Sequence, residues 1–506
     1  MDPAHNAAME GRVYLIGAGP GDPGLLTLRG AELLSRADVV LYDGLTNPEL
    51  LRHATKAEQI CVGKHGQRRI WQQEEVIEEI LRHARMGKVV ARLKGGDPAV
   101  FARTAEEVEA IQHAGIPFEI VPGITAALAA GSYAGIPVTH RGLASAVALV
   151  TGHEEPGKSE SSLDWNALAR FPGTLVVYMG VTTAKSWSRL LIEGGKSPRT
   201  PTAIVRRCSL PDQRTIHCQL RDIADQLTPA TKLRPPVIVI IGEVSRLGQT
   251  MSWLSCRPLF GQTVLVTRPA EQVEALASPL RDLGARVVVQ PAIEIGPPAD
   301  WAAVDDCIES IKSYDFVVFC SRNGVHHFLG RMWQTGHDLR TIGEASIAAV
   351  GTKTAEALGE FLIRPDIVPS EFHAESLAQE LSDKARGKRV LIIRASRGRD
   401  VLSKALDDAG AEVHEVVAYQ HNDVHDVDPN IEKMAWAGEI DWITITSGES
   451  AKNLHRLFGD AMHQMKIASI SPITSETVRQ LGLVVAAEAN PHTMTGLIDS
   501  ITRADS

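Results

Sequence analysis

Short hydrophobic runs alternate with helical patterns through the first half of this chain. The runs are rich in β-branched residues, as is typical of buried strands in a parallel sheet, and the segments between them repeat apolar residues at helical spacing. The best strand candidates are Val39–Tyr42, Val89–Leu93, Ala146–Val150, Leu175–Met179 and Val237–Ile241. This alternation predicts an α/β fold from residue 13 to residue 241.

The first hydrophobic run, residues 13–16, leads into a loop rich in glycine and proline. Thr27 is the predicted N-cap of the helix that follows, where leucines recur at near-helical spacing at positions 28, 33 and 34. Loops between strand and helix hold nucleotides in α/β proteins. Here, however, Asp22 stands where a dinucleotide motif needs its third glycine, and Pro20 removes a backbone donor. The loop therefore predicts a cofactor without phosphate groups.

Composition narrows the class of protein. The 506 residues predict about three or four structural units, and a hydrophobic content of 44% is enough to bury their cores. A formal net charge of −9 argues against general binding to nucleic acid or membrane surfaces. No run reaches the roughly 18 apolar residues of a membrane-spanning helix, and the first ten residues show no signal-peptide pattern, so we expect a cytoplasmic protein. The six cysteines form no C-x-x-C pair, which favours buried reduced thiols over a metal site or disulfides.

A domain boundary is predicted near the middle of the chain. The alternating pattern fails between residues 242 and 261, where the sequence is irregular. We therefore expect a first domain over residues 11–247, a linker over 248–260 and a second domain over 261–506.

The second domain repeats itself at a shift of 126 residues. Residues 261–268 match residues 387–394, and residues 315–321 match residues 441–447. A period this long is too large for a solenoid and predicts two pseudo-equivalent α/β subdomains that face each other across a cleft. Chance similarity between α/β segments is the alternative.

Polar residues follow several of the predicted strands in the first domain. Asp43 ends the second strand, where a carboxylate points into the ligand crevice of such sheets; it is a candidate base or ligand contact, or else it caps the next segment. Lys64 follows a glycine and is a second candidate, although a solvated lysine is the commoner case. Gly95 and Gly96, before Asp97, expose backbone groups to a flat heteroaromatic edge or an amino-acid end, or form a plain turn.

A helix of small residues opens at Thr125 and Ala126, which leave room for a closely packed ligand, although such helices are usually just well packed. The ordered series of motifs resembles the tetrapyrrole methylase family, and most closely the uroporphyrinogen-III C-methyltransferases, over residues 12–247. The resemblance rests on residues 17–23, 25–30, 41–43, 92–98, 122–127, 133–141, 151–153 and 178–180. It implies a two-lobed α/β fold distinct from the common Rossmann methyltransferases, S-adenosylmethionine held between the lobes, and a homodimer.

The same resemblance assigns roles to individual residues. Asp43 and Lys64 match the proton acceptor and donor suggested for the family, and Cys208 stands at a backbone contact where the family usually has glycine. Arg92 and Arg141 are expected to bind the acetate and propionate arms of the substrate. The residues that match family contacts to the cofactor are Pro20, Gly95, Gly96, Asp97, Val100, Thr125, Ala126 and Met179.

The repeated elements of the second domain end in small loops that carry hydroxyl groups, and no nucleophile–base pair, metal spacing or phosphate loop appears there. Hydroxyls and loop N–H groups at helix starts suit carboxylates, although simple N-capping is the alternative for each. The loop residues are Ser321, Thr354, Ser447 and Thr474.

This second domain resembles the uroporphyrinogen-III synthase family over residues 261–501. The motifs are residues 265–269, 321–325, 350–355 and 417–420, with the loops at 446–447 and 474. The resemblance implies that the domain closes linear hydroxymethylbilane with inversion of the last pyrrole ring and without a cofactor. It implies that Tyr419 is a general acid and that Thr354, Ser447 and Thr474 contact the ligand. Ser321, which the family also has after a threonine, is a further candidate contact. It also implies one lobe over residues 261–293 and 424–506, and another over 296–421.

The two resemblances together predict a bifunctional enzyme with tetrapyrrole substrates. Its second domain would make uroporphyrinogen III, and its first would methylate this product twice to precorrin-2, on the way to sirohaem or cobalamin. One alternative is a methyltransferase for a later corrinoid, or for ribosomal RNA, against which the absence of basic excess counts. Another is a second domain that binds tetrapyrroles without catalysis, which the retained Tyr419 disfavours.

Overall fold

The computed structural model describes residues 11–63, 71–153, 162–228, 231, 233–369, 374–398 and 400–505. The chain divides into two units. The first comprises the described residues up to Gln262 together with Arg281–Arg286, and the second comprises Thr263–Leu280 and Val287–Ser506. Both are α/β structures. Among the described residues, no helix is both long enough and apolar enough to cross a bilayer.

Five parallel strands form the first sheet of the first unit, in the order β3-β2-β4-β1-β5. Alternate residues of β1 face opposite sides: Ile16 packs with Leu33 and Leu34, whereas Leu15 packs with Ile80 and Ile111. Helices thus cover both faces, as parallel sheets require. The elements are β1 (Arg12–Gly17), α1 (Leu28–Ser35), β2 (Val39–Tyr42), β3 (Glu58–Cys61), α2 (Gln73–Arg85), β4 (Val89–Lys94), α3 (Thr104–His113) and β5 (Phe118–Val121).

The second sheet of the first unit is mixed, in the order β6-β7-β10-β8-β9. Only β6 and β7 pair in parallel, and the remaining pairs are antiparallel. Trp187 is fully buried against this sheet beside Ile204 and Val239. The elements are α4 (Ala126–Tyr133), β6 (Val147–Thr151), α5 (Trp165–Arg170), β7 (Thr174–Tyr178), α6 (Ala184–Glu193), β8 (Pro201–Arg206), β9 (Arg214–Gln219), α7 (Ile223–Gln226), β10 (Val237–Ile241) and α8 (Gly248–Met251).

The predicted strands and the predicted helix cap of this unit are confirmed, and the predicted stripe of leucines is confirmed in part. All five predicted strands are present as β2, β4, β6, β7 and β10, with ends within one residue of those expected. Helix α1 begins after Thr27, whose hydroxyl accepts a hydrogen bond from the N–H of Gly30. Leu28, however, is 91% exposed, so only Leu33 and Leu34 form the buried stripe. Leu28 lies in the first turn, on the face away from the sheet.

The expected linker includes helical segments in its first part. After α8, a short 3-10 helix spans Leu254–Cys256. Between them, the indole N–H of Trp253 donates to the carbonyl of Ser132, and its ring packs 5.1 Å from that of Tyr133. Gly135 takes a positive φ of 68° and approaches the Met251 carbonyl so closely that a Cβ there would clash at 2.3 Å. These residues therefore pack onto the first unit.

The second unit contains two five-stranded sheets. Their orders are β12-β11-β18-β19-β20 and β13-β17-β16-β14-β15. The strands are β11 (Thr263–Val266), β12 (Arg286–Val289), β13 (Ile293–Gly296), β14 (Phe316–Phe319), β15 (Ser346–Ala349), β16 (Arg389–Ala395), β17 (Glu412–Asp423), β18 (Trp442–Ile445), β19 (Lys466–Ser469) and β20 (Val485–Glu488). The helices are α9 (Glu274–Asp282), α10 (Ala302–Glu309), α11 (Arg322–Gln334), α12 (Thr352–Glu360), α13 (Ala374–Ala385), α14 (Val401–Asp408), α15 (Pro429–Trp436), α16 (Gly448–Phe458), α17 (Pro472–Gln480) and α18 (Met494–Asp505).

The sequence repeat corresponds to a structural repeat. Four neighbouring strands of one sheet, β12-β11-β18-β19, have the same order as β17-β16-β14-β15 of the other. Strands β11 and β16 begin 126 residues apart, as do β14 and β18. The two halves of the second unit are therefore pseudo-equivalent α/β subdomains.

Candidate active sites

The glycine-rich loop after β1 is fixed to the loop after β4. Gly19 and Gly96 exchange backbone hydrogen bonds of 3.1 and 2.8 Å, and both have positive φ angles near 70°. Pro20 follows this contact. The carboxylate of Asp22 accepts hydrogen bonds from the N–H of Gly24 at 2.8 Å and from the hydroxyl of Tyr133 at 2.7 Å. Asp22 therefore shapes the loop, and burial raises the pKa of Tyr133 beside it.

The loop from Gly95 to Val100 leaves open space beside its backbone. A Cβ added at Gly95 would meet no atom within 4 Å. Both carboxylate oxygens of Asp97 already accept hydrogen bonds from the backbone. The donors are the N–H groups of Ala99, at 2.7 Å, and of Gly123, at 2.9 Å. The N–H of Val100 donates to the Asp97 carbonyl at 3.1 Å. Asp97 thus ties the Gly96 loop to the loop before α4.

Tyr178 organises the start of α4. Its hydroxyl lies 2.7 Å from Oγ1 of Thr125 and accepts the N–H of Ala127 at 2.8 Å. Burial raises the pKa of Tyr178, so this hydroxyl stays protonated. The next residue, Met179, has a φ of 52° and a half-exposed side chain. The structure thus brings Thr125 into contact with the tyrosine that precedes Met179, although the two residues were predicted from separate motifs.

Cys208 lies against the same helix start. Its Sγ is 3.9 Å from the carbonyl of Ala126, and burial raises the pKa of the thiol to about 12. Ala126 also faces the glycine loop, since a Cβ at Gly96 would lie 3.8 Å from the Ala126 nitrogen. The thiol is therefore neutral and packed, and it offers no charge to a ligand.

Asp43 is the accessible end of a chain of four charges. Its Oδ1 accepts from Nη2 of Arg92 at 2.5 Å, and its Oδ2 accepts from the N–H of Gly95 at 3.2 Å. The Nε of Arg92 donates to Glu107 at 3.2 Å, and Nζ of Lys94 donates to the other oxygen of Glu107 at 2.6 Å. Glu107 is fully buried, and burial lowers the pKa of Lys94. The two cations and two carboxylates balance each other.

The predicted cationic residues of the first unit have different surroundings. Arg92 is buried, and its Nε and both terminal nitrogens already donate inside the protein. This geometry does not suit the expected contact with substrate arms and favours a role in holding Asp43. Arg141, by contrast, is exposed on the turn between His140 and Ala144, beside a cavity of about 250 Å³. Lys64 lies outside the described residues.

Tyr419 is the centre of a polar cluster in the second unit. Only 3% of the residue is exposed, and its hydroxyl lies 2.8 Å from Oγ of Ser321, which is 98 positions away in the chain. The ring of His327 stacks on the tyrosine at 5.6 Å, and the ring of His421 meets it edge-on at 5.3 Å. Burial raises the pKa of Tyr419 and lowers that of His421. The sequence analysis missed both histidines, although His421 shares a strand face with Tyr419 at a spacing of two.

The hydroxyl residues of the second unit mostly cap helices. Ser321 and Ser447 are the N-caps of α11 and α16, and each accepts a backbone N–H three residues later. The cap of α17 is Ser471, whose Oγ accepts the N–H of Thr474. Thr354 is buried in the first turn of α12, after a glycine cap. Ser321 differs from the others because it also contacts Tyr419.

Comparison with known proteins matches two parts of the chain to two different families. Residues 12–224 match the family described as Tetrapyrrole (Corrin/Porphyrin) Methylases, and residues 274–499 match Uroporphyrinogen-III synthase HemD. The chain is 35% identical over 495 residues to the porphyrin biosynthesis protein HemD of Ruminiclostridium josui, with 97% of each covered. It is 39% identical over 361 residues to the uroporphyrinogen-III C-methyltransferase of Bacillus subtilis, covering 70% of this chain and 74% of the relative.

A further relative matches about half of this chain. The S-adenosyl-L-methionine-dependent uroporphyrinogen III methyltransferase of Methanosarcina barkeri is 46% identical over 238 residues, which cover 47% of this chain and 93% of that protein. The fold and the matched regions thus define a tetrapyrrole methylase followed by a uroporphyrinogen-III synthase domain. The chain belongs to the family of porphyrin biosynthesis proteins in which these two domains are fused.

Proposed function

We propose that this chain is a bifunctional enzyme of tetrapyrrole biosynthesis. Its second domain converts hydroxymethylbilane to uroporphyrinogen III, and its first transfers two methyl groups from S-adenosylmethionine to that product to give precorrin-2, the precursor of sirohaem and cobalamin. The observation that carries the proposal is the presence in one chain of two reactive groups, each held by its own domain. These are the Asp43 carboxylate paired with Arg92 and the Tyr419 hydroxyl paired with Ser321.

The residues of the first unit fit S-adenosylmethionine. This cofactor carries no phosphate and supplies a methyl group activated on a sulfonium. The open space at Gly95 and the backbone of Gly96 would receive it, together with Pro20, Thr125, Ala126, Met179 and the backbone of Cys208. Asp97 would act indirectly, because both its carboxylate oxygens already hold the surrounding loops.

Asp43 is the proposed base of the methylation. A new carbon–carbon bond on the macrocycle leaves one ring proton to be lost, and a positioned carboxylate speeds such a transfer. Arg92 and the N–H of Gly95 each donate a hydrogen bond to one oxygen of Asp43 and so fix the orientation of its carboxylate. Lys64 is proposed as the proton donor and Arg141 as a contact for a substrate carboxylate.

Tyr419 is the proposed acid of ring closure. Cyclisation breaks the bond between the hydroxymethyl carbon and its oxygen, releases water and forms a bond to a pyrrole carbon, so the leaving hydroxyl needs a proton. Burial keeps the tyrosine protonated, and Ser321 orients its hydroxyl. The reaction consumes no oxidant or reductant, which agrees with our proposal that this domain uses no cofactor. Thr354, Ser447 and Thr474 are proposed ligand contacts at the neighbouring helix starts.

The first domain is also proposed to form a homodimer. Large apolar side chains are exposed on the two edge strands β5 and β6 and on α4, which lies between them in sequence. Apolar surface of this kind is usually covered in an assembly. The side chains are Phe118, Ile120, Leu128, Val147 and Leu149.

Separate assays of the full chain test the two activities. With hydroxymethylbilane and no S-adenosylmethionine, we expect the type III isomer, whereas closure without inversion gives type I. With uroporphyrinogen III and S-adenosylmethionine, we expect a product with two added methyl groups. Formation of the type I isomer alone would exclude the synthase activity, and an unmodified macrocycle in the second assay would exclude the methyltransferase activity.

A further inference from the structure

The internal repeat of the second unit relates two arginines, of which, among the residues that the structure describes, one has carboxylate neighbours and the other has none. Arg268 and Arg394 are related by the shift of 126 residues. Arg268 follows β11 by two positions, and Arg394 lies near the end of β16, the strand equivalent to β11. Both arginines therefore stand at the carboxyl end of an equivalent central strand, the edge where open α/β sheets bind ligands.

Arg394 is satisfied within the protein. Its Nη1 lies 2.6 Å from Asp400 and 2.7 Å from Glu415, and its Nη2 donates to the carbonyl of Gly398 at 3.1 Å. Only 14% of its side chain is exposed. Two carboxylates thus balance the charge of this largely buried guanidinium, and its role is structural.

Arg268 has no such compensation. It is half-buried, and its guanidinium donates to the side-chain amide of Gln272. Within the described part of the chain, no carboxylate lies within 4 Å of it. Of the two acids beside Arg394, Glu415 corresponds to Val289, which carries no charge. Asp400 corresponds to Glu274, which is exposed and does not lie within 4 Å of Arg268. Burial without an acid lowers the pKa of Arg268, and holding such a cation costs stability unless a ligand supplies the missing anion.

We infer that Arg268 binds a carboxylate side arm of the tetrapyrrole handled by the second domain. The inference rests on the proposed synthase function. A planar guanidinium suits bidentate contact with a carboxylate, and every candidate substrate of this domain carries several such groups. Arg268 also lies at the same sheet edge as Ser447, since β11 and β18 are neighbours.

Matched variants of the two arginines test this inference in the full chain. For Arg268→Met we expect KM for hydroxymethylbilane to rise about 10- to 100-fold, the range of a lost charged hydrogen-bond pair, with little change in kcat. We expect no fall in Tm, because an uncompensated cation is removed. For Arg394→Met we expect the reverse: a lower Tm, because Asp400 and Glu415 lose their partner, and KM within about threefold of the original.

The outcomes separate this inference from the function on which it rests. If the unaltered chain makes no type III isomer, the proposed function fails before any variant is compared. If it does, an unchanged KM in Arg268→Met overturns the inference, as does a fall in Tm that matches the loss of activity. Arg268→Lys keeps the charge but loses the bidentate geometry, so its KM should lie between that of the original chain and that of Arg268→Met.

Discussion

The carboxylate of Asp43 and the guanidinium of Arg92 form a 2.5 Å ion pair at the carboxyl edge of the first sheet. Asp43 keeps 34% of its side chain exposed, whereas Arg92 keeps 6% and reaches Glu107 in the interior. In this network of charged side chains, Asp43 is therefore open to a substrate, whereas Glu107 is fixed in the core. A reactive carboxylate needs this combination of access and restraint.

Replacement of Asp43 tests its role as a base. We expect Asp43→Asn to slow methylation about 10²- to 10⁴-fold, the usual contribution of a positioned acid or base, with unchanged affinity for S-adenosylmethionine. Asp38→Asn, at the opposite end of β2, is the matched control and should stay within about twofold, since Asp38 only holds the N–H of Val89. Full methylation by Asp43→Asn in steady-state assays would contradict the role.

Glu107 should contribute strongly to the free energy of unfolding, although no pattern in the sequence marks it. Glu107→Gln leaves Arg92 and Lys94 without their shared carboxylate, and we expect a loss of about 3–5 kcal/mol in the free energy of unfolding. The double variant Glu107→Gln with Lys94→Met restores charge balance and should recover part of that loss. Denaturant unfolding of the original chain, of each single variant and of the double variant measures this, and additive losses would disprove the coupling.

The hydroxyl of Tyr419 should matter for ring closure and little for folding. We expect Tyr419→Phe to lower kcat for the synthase reaction about 10²- to 10⁴-fold. Its stability should fall by about 0.5–1.5 kcal/mol, as for one lost hydrogen bond. Tyr314→Phe removes a comparable hydroxyl, which contacts His414 outside the site. That control should lose similar stability and keep its activity; equal activity losses in both variants would argue against an acid role.

The cysteines should differ sharply in reactivity. Contrary to the expectation of buried thiols, Cys256 is exposed, and Cys61, Cys218 and Cys320 are only partly buried. Burial raises the pKa of Cys208 and of Cys320 to about 12, so at pH 8 only about one in 10⁴ of these thiols is ionised. Timed alkylation of the native chain, followed by peptide mass spectrometry, should label Cys256 first and leave Cys208 and Cys320 unmodified. Early labelling of Cys208 or Cys320 would contradict these environments.

The sequence predicts those features that depend on local patterns. The Thr27 cap and the repeat of the second unit were predictable, because periodicity and short motifs determine them. The same holds for the more apolar strands of the first unit, whereas β3, β5, β8 and β9 were not predicted. Leu28 shows the limit of this approach: helical spacing cannot tell whether a first-turn residue points toward the sheet. Cys256 was likewise indistinguishable from a buried cysteine.

The relationships within the sites depend on pairs of residues distant in the chain. Arg92 was expected to bind the carboxylate arms of the substrate, because a guanidinium suits carboxylates. Its acceptor Glu107 lies on α3, and no local pattern links the two. Ser321 and Tyr419 were each predicted, yet their 2.8 Å contact spans 98 residues and arises only from the pairing of β14, β16 and β17. Such tertiary proximity is not encoded in any single motif.

A coupled assay tests the central proposal most directly. The full chain would receive hydroxymethylbilane together with S-adenosylmethionine labelled in its methyl group, and the products would be followed by anaerobic chromatography and mass spectrometry. We expect uroporphyrinogen III to appear first and then to decline as a product with two labelled methyl groups forms. Accumulation of an unlabelled type I isomer, with no doubly methylated product at any time, would contradict the account.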